Sequence, residues 1–318
     1  MIDAPANMRE AAGEVQASAF NAAQLAASMP RLVMEARRVA ASVFHGIHGR
    51  RRAGPGENFW QYRRFVDGEP ASRVDWRRSA RDDLLFVREH EWEAAHTIWI
   101  WPDCSPSMVF ASARNVPPKR DRALVLAFAL GELLVRGGER VGIPGLMRPT
   151  ASRAVIERMA DTIVHFSGNP PSLPPPFVPG SRDEVVLLGD FWSPTQQVTG
   201  AIARMGANGA NGHAVQIVDS AEESFPYAGR VEFEEPEGAG SITVGRAEAW
   251  AADYVARVAL HRAAIRAETA RRAWSFTIHR TSRPASDLLL ALHARMGASP
   301  DGFPRLQAAA GPAQEAAA

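Results

Sequence analysis

The pattern of apolar and polar positions changes period along the chain, and each change marks a predicted element. From Pro30, the residues Leu32, Val33, Val39, Val43, Phe44 and Ile47 recur at roughly helical spacing, which predicts an amphipathic helix ending near Gly46. "FWQYRRFV" and "LLFVREHEWE" instead alternate like half-buried strands. Beyond residue 95 the pattern becomes short apolar runs separated by helical stretches. "HTIWIWPD", "DEVVLLGD", "HAVQIVD" and "WSFTIHR" read as buried strands, and "RVGIPGL" as a shorter one. Between them, "RDRALVLAFALGELLVRGG", "ASRAVIERMADTIVHF", "PTQQVTGAIARM" and "PASDLLLALHARM" read as helices, the first stopping at a Gly pair. "GRVEFEEPEGAGSITVG" resembles a hairpin and precedes a long helix over 247–272.

Strands alternating with helices predict an α/β fold with a mostly parallel sheet covered by helices on both faces. The expected organisation is a disordered N-terminus over 1–28, then a helix and small β extension over 29–94. The main α/β domain follows over 95–297, with a hairpin and long-helix insertion near 230–272, and a disordered tail covers 298–318. No internal repeat is visible.

Composition narrows the function classes. A net charge of +1 gives no bulk electrostatic reason to expect nucleic acid. Lys119 is the sole lysine, so any Schiff-base or phosphoryl-transfer lysine has that one candidate, and "VPPKRDR" is no phosphate-binding loop. Cys104 is the sole cysteine, which excludes an intrachain disulfide framework. No G-x-G-x-x-G follows a predicted strand. The longest apolar run, "ALVLAFALGELLV", is too short for a bilayer and carries Glu132, and the N-terminus lacks the order of a secretion signal. A soluble cytoplasmic location is expected.

In parallel sheets, ligands collect where the strands end, and Asp103, Asp190 and Asp219 each stand at the end of a predicted strand. Asp103 opens an Asp-x-Ser-x-Ser pattern with Ser105 and Ser107. Hard divalent cations take oxygen ligands. An extended loop can turn two alternate hydroxyls toward one point, with Asp103 adding charge and Asp190, in "LLGDF", a second carboxylate. The same residues after a strand also make turns and helix caps. For Cys104, no Arg follows at phosphatase-loop spacing, and a small buried hydrophobe is the expected role. His45 with His48, and His90 with His96, lack convincing further zinc ligands. Trp76 in "VDWRRSAR" is expected to anchor the core of the small β part, with Arg77 and Arg81 pairing Asp75, Asp82 and Asp83.

Several of these residues carry a family resemblance. Gly56-Glu57-Asn58-Phe59, Tyr62-Arg63, Asp67-Gly68, Val74-Asp75-Trp76, Ser79-Ala80-Arg81, Glu89 to Glu93 and Asp103-x-Ser105-x-Ser107-Met108 resemble the signature region of the bacterial "domain of unknown function 58" family. "GRVEFEEPEG" and "FTIHRTSRPASDLLLAL" resemble its later segments, so the likeness spans roughly 45 to 297. The resemblance implies a von Willebrand factor A-like, Rossmann-like domain whose Asp-x-Ser-x-Ser loop is a metal-ion-dependent adhesion site for Mg²⁺ or Mn²⁺. The implied ligands are Asp103, Ser105, Ser107 and Asp190. Thr150 is the candidate second-loop hydroxyl, with capping of the next helix as its alternative role. A MoxR-type AAA+ ATPase is the implied partner in chaperone-like or assembly work, without enzymatic activity and with no nucleic acid. Two alternatives are a Mg²⁺-dependent hydrolase or phosphotransferase using Asp103, and nucleic-acid binding through the Arg-rich loops.

Overall fold

The computed structural model describes residues 6–48, 59–66, 70–81, 84–90, 95–166, 169–236 and 240–296. The chain divides into two compact units, 46–95 and the remainder.

In chain order, the elements are α1 (Ala6–His48), β1 (Phe59–Arg64), α2 (Trp76–Ser79), β2 (Phe86–His90), β3 (Thr97–Pro102), α3 (Lys119–Arg136), β4 (Arg140–Ile143), β5 (Met147–Thr150) and α4 (Val155–Val164). They continue as β6 (Glu184–Gly189), α5 (Thr195–Met205), β7 (Asn211–Val218), α6 (Ser220–Ser224), β8 (Val231–Glu234), β9 (Ser241–Val244), α7 (Ala251–Arg271), β10 (Ser275–Arg280) and α8 (Ala285–Met296).

The large unit is built on a six-stranded sheet of order β10-β7-β6-β3-β4-β5. Five strands run parallel and only the edge strand β5 is antiparallel, against β4. The mixed α/β expectation with a mostly parallel sheet therefore holds. Every residue of β6 is buried, as a strand covered on both faces requires. The hairpin β8–β9 and the helix α7 lie where the sequence pattern put them.

Two boundary expectations are corrected. Helix α1 begins at Ala6 and passes through Pro30, so 6–28 is helical rather than disordered. It also belongs to the large unit, not to the β extension. The reason lies in its buried stripe: Leu25, Met29, Leu32, Ala36, Ala40 and Val43 repeat every three or four positions and are all below 9% exposed. Arg31 reaches Asp121 of α3 at 2.5 Å, and Arg37 pairs with Glu157 of α4. Ala-rich sequence hides such a stripe, because only Leu25 and Met29 of its six members precede Pro30 and both stand among alanines. The tail 298–318 lies outside the described residues.

In the small unit, β1 and β2 pair antiparallel and Val74 bridges Val87. Asp75 caps α2 by accepting from the Arg78 amide at 3.0 Å, and Ser79 Oγ accepts from the Phe86 amide at 2.9 Å. Trp76 is not the core anchor: it is 61% exposed. Arg78 takes the structural role, with its guanidinium 4.7 Å from the centre of the Phe86 ring. Arg77 and Arg81 are exposed, and Asp82 and Asp83 lie outside the described residues. So do Gly56, Glu57, Asn58, Asp67, Gly68 and the 91–93 part of the Glu89–Glu93 segment.

Candidate functional site at the sheet's carboxyl rim

Strands β3 and β6 are adjacent and in register to their ends, with Pro102 level with Leu188. The Asp103 amide then donates to the Leu188 carbonyl at 2.8 Å, which carries the pairing one residue past β3. This brings Asp103 beside Gly189. A side chain at 189 would place its Cβ 3.0 Å from both Asp103 Cβ and Oδ2, so the glycine is what permits the approach. Asp190 follows directly. Its loop is fixed by the Gln216 amide, which donates to the Asp190 carbonyl at 2.8 Å, and by Phe191, held in a left-handed conformation (φ 56°).

Four of the expected residues come together. Asp103 Oδ1 accepts from the Ser105 amide at 2.8 Å. Ser105 Oγ and Ser107 Oγ lie 3.2 Å apart, and Ser107 Oγ donates to Asp190 Oδ2 at 2.9 Å. Asp103, Ser105 and Asp190 are buried, at 0, 0 and 1% exposure.

Thr150 does not join them. β5 runs back against β4, which sets Thr150 level with Val141, and Val141 is level with Ile98 at the start of β3. That is five residues, roughly 16 Å, below Asp103 along the sheet. Nor does Thr150 cap a helix: its hydroxyl accepts from the Ser152 amide (3.2 Å) and from Arg158 (3.3 Å), and α4 starts after Ala154 without a side-chain cap. The reversal at Gly145, with φ 71°, is what carries it away.

Two residues that sequence reasoning did not place at the rim complete the cluster. Lys119, at the start of α3, is 1% exposed, and its ammonium donates to Asp190 Oδ2 at 2.8 Å and to Glu222 Oε1 at 2.5 Å. Glu222 also accepts from the Trp192 indole at 3.1 Å and, through Oε2, from the Asp219 amide at 2.9 Å. Asp219 itself caps α6 and accepts from the Ser112 amide at 3.0 Å. All three strand-end acids are therefore tied into one network.

The electrostatics follow from that network. Burial by itself would depress the Lys119 pKa, but Asp190 and Glu222 outweigh it and hold the ammonium above its ordinary value. Burial dominates at Glu222 and pushes its carboxyl up, with Lys119 opposing. At Asp219 burial is outweighed by the hydrogen bonds from Ser112 and Ala221, so its carboxyl titrates below the usual range. The Cys104 thiol is pushed up to about 12, by burial first and by Asp103 second, which keeps it protonated and unreactive.

In this arrangement an ammonium already stands beside Asp190, where the expected divalent ion would be held. Asp190 Oδ2 accepts from both Ser107 and Lys119. A dication added there would face an ammonium 2.8 Å from its own ligand, in a buried setting where like charges repel strongly. The cation of this cluster is the lysine. For zinc, no group of three or more His, Cys, Asp or Glu ligands forms among the described residues. The side chains of His45, His48 and His90 lie outside them.

A family model described as "Protein of unknown function DUF58" matches residues 61–264. An uncharacterised protein of Mycobacterium tuberculosis, Rv1480, is 31% identical over 119 residues, which is 37% of this chain and 37% of its own length. Its counterpart in Mycobacterium bovis, Mb1516, matches equally. The match thus spans little more than a third of these relatives. Among solved structures, the conserved hypothetical protein BatB from Bacteroides thetaiotaomicron aligns with a TM-score of 0.38 and 14% identity, over 65% of this chain and all of that one.

Proposed function

The chain belongs to the DUF58 family, and from that premise we propose that it is a non-enzymatic protein-interaction module of von Willebrand factor A-like architecture. Its partner in this reading is a MoxR-type AAA+ ATPase, and the work is chaperone-like or assembly-directed. The resemblance of residues 45–297 to the family supports the partner class.

One observation carries the non-enzymatic part: three of the acids at the rim, Asp190, Asp219 and Glu222, are held by donors that fix them in place. Both oxygens of Asp190, Asp219 and Glu222 accept hydrogen bonds, and the Lys119 ammonium donates to two of these groups. A nucleophile or general base needs a lone pair facing substrate. Here the lone pairs face inward and build a rigid platform. Above it, Phe110 is 36% exposed, with its ring centre 5.9 Å from the Lys119 ammonium. An aromatic side chain on a densely hydrogen-bonded base suits a protein contact.

The metal part of the adhesion-site reading is replaced in this account by Lys119, so that Mg²⁺ or Mn²⁺ is not required for the contact. The test is capture of the MoxR-type ATPase from the same bacterium on the immobilised full chain, with ATP or ADP and with or without a chelator. The expected result is chelator-insensitive capture by wild type, lost in Phe110→Asp. Failure of wild type to capture the ATPase overturns the partner, and undiminished capture by Phe110→Asp overturns the rim as contact surface.

A further inference from the structure

The residue after Lys119 has the opposite situation. Arg120 is 5% exposed, yet its Nε has no hydrogen-bond partner and its guanidinium forms no ion pair among the described residues. Trp101, at 5% exposure on β3, likewise has an indole N–H without a partner. Both line one cavity of about 60 Å³, room for the centres of about four water molecules. Apart from these donors its walls are largely apolar, with Leu25 of α1, Ile143 of β4, Ile163 of α4 and Phe166 among them.

A buried cation without a counter-charge is costly, and so is each buried N–H left without an acceptor. Both costs fall on the same cavity, and one anion relieves both. The start of α3 adds to the preference: this 18-residue helix has no side-chain cap at its N-terminus, and Arg120 lies in its first turn. The apolar walls select the rest of the ligand. An inorganic anion such as phosphate would leave most of its oxygens against hydrocarbon, whereas a carboxylate presents two oxygens at one end and an alkyl group at the other. Cys104 also lines the cavity, and its protonated thiol is a further soft, uncharged wall.

We propose that this cavity is a binding site for a short-chain monocarboxylate, with the carboxylate at Arg120 and Trp101 and the alkyl group between α1, α4 and β4. The site is separate from the acid cluster: Lys119 points its charge into the rim network, while Arg120 lines the cavity.

The test uses the full chain and two probes with the same carbon skeleton, isovalerate and 3-methyl-1-butanol, titrated calorimetrically at neutral pH. Isovalerate is expected to bind, and the alcohol to bind at least about tenfold more weakly, the loss of a charge-assisted contact. Arg120→Met should weaken isovalerate by a similar factor or more, and Trp101→Phe by several-fold. A second readout needs no substitution to fold: in the ¹⁵N-labelled wild type, one indole N–H resonance should move with isovalerate and stay still with the alcohol. The proposal is overturned if isovalerate does not bind at millimolar concentration. It is overturned equally if acid and alcohol bind alike, or if folded Arg120→Met retains wild-type affinity.

Discussion

Lys119 and Arg120 are sequence neighbours in the first turn of α3, both cationic and both at least nine-tenths buried, and they meet opposite surroundings. Lys119 lies within 2.8 Å of two carboxylates, while Arg120 has a cavity and no counter-ion among the described residues. A buried charge is tolerable when paired and expensive when not. The cation at the rim is therefore paired, fit to be rigid, and the one at the cavity is not, fit to receive something. The side chains match these tasks. An ammonium is a compact point charge that fits between two carboxylates, whereas a planar guanidinium presents a fork suited to an incoming carboxylate.

The largest effect expected from breaking this comparison is at Lys119. Lys119→Met leaves Asp190 and Glu222 buried against each other's charge and should cost about 3–5 kcal/mol in urea unfolding. Lys119→Arg should recover little of it, because the fork needs more room than the cluster leaves. Alkaline titration follows the same logic. A lysine whose folded pKa is raised stabilises fully below its unfolded value, near about 10.4, and loses that contribution as pH climbs through the folded value. Wild type should thus lose stability above that pH more steeply than Lys119→Met.

The next effect lies on β10. His279 is 5% exposed, and burial, helped by Arg122, lowers its pKa from 6.5 to about 4. The unfolded chain takes up this proton below pH 6.5 and the folded chain only near 4, so stability falls with decreasing pH across that window. The drop should be roughly 3 kcal/mol and largely absent in His279→Gln, as acid unfolding curves would show. A smaller effect is expected at Thr150, far from the rim. Thr150→Val should change stability by about 1 kcal/mol or less and leave ATPase capture as in wild type.

Much of this arrangement was legible in the chain. Apolar runs such as "DEVVLLGD" can only be buried strands, and the acids that end them fall on one rim because parallel strands end together. The convergence of Asp103, Ser105, Ser107 and Asp190 follows from that. What was not legible depended on tertiary distance or on a reversal. Lys119 and Glu222 are 103 residues apart, and nothing local announces their pairing. Yet the lone lysine in an arginine-rich chain was a signal, since a compact ammonium is what the cluster requires. The Asp219–Glu222 spacing was a second one, because Asp-x-x-Glu after a strand is a capping-box signature, and here it sets Glu222 in place. Thr150 was misjudged because "MRPT" has no strand pattern, so its antiparallel return along β4 was invisible. Trp76 was misjudged because a large aromatic beside an acid cap need not face the interior.

The most direct measurement is the unfolding free energy of Lys119→Met and Arg120→Met side by side, in ligand-free protein. One removes a paired buried cation and the other an unpaired one, with the same replacement at adjacent positions. The account predicts opposite outcomes: a loss of about 3–5 kcal/mol for Lys119→Met, and no loss or a modest gain for Arg120→Met. Comparable destabilisation of both, or a tolerated Lys119→Met, would contradict it.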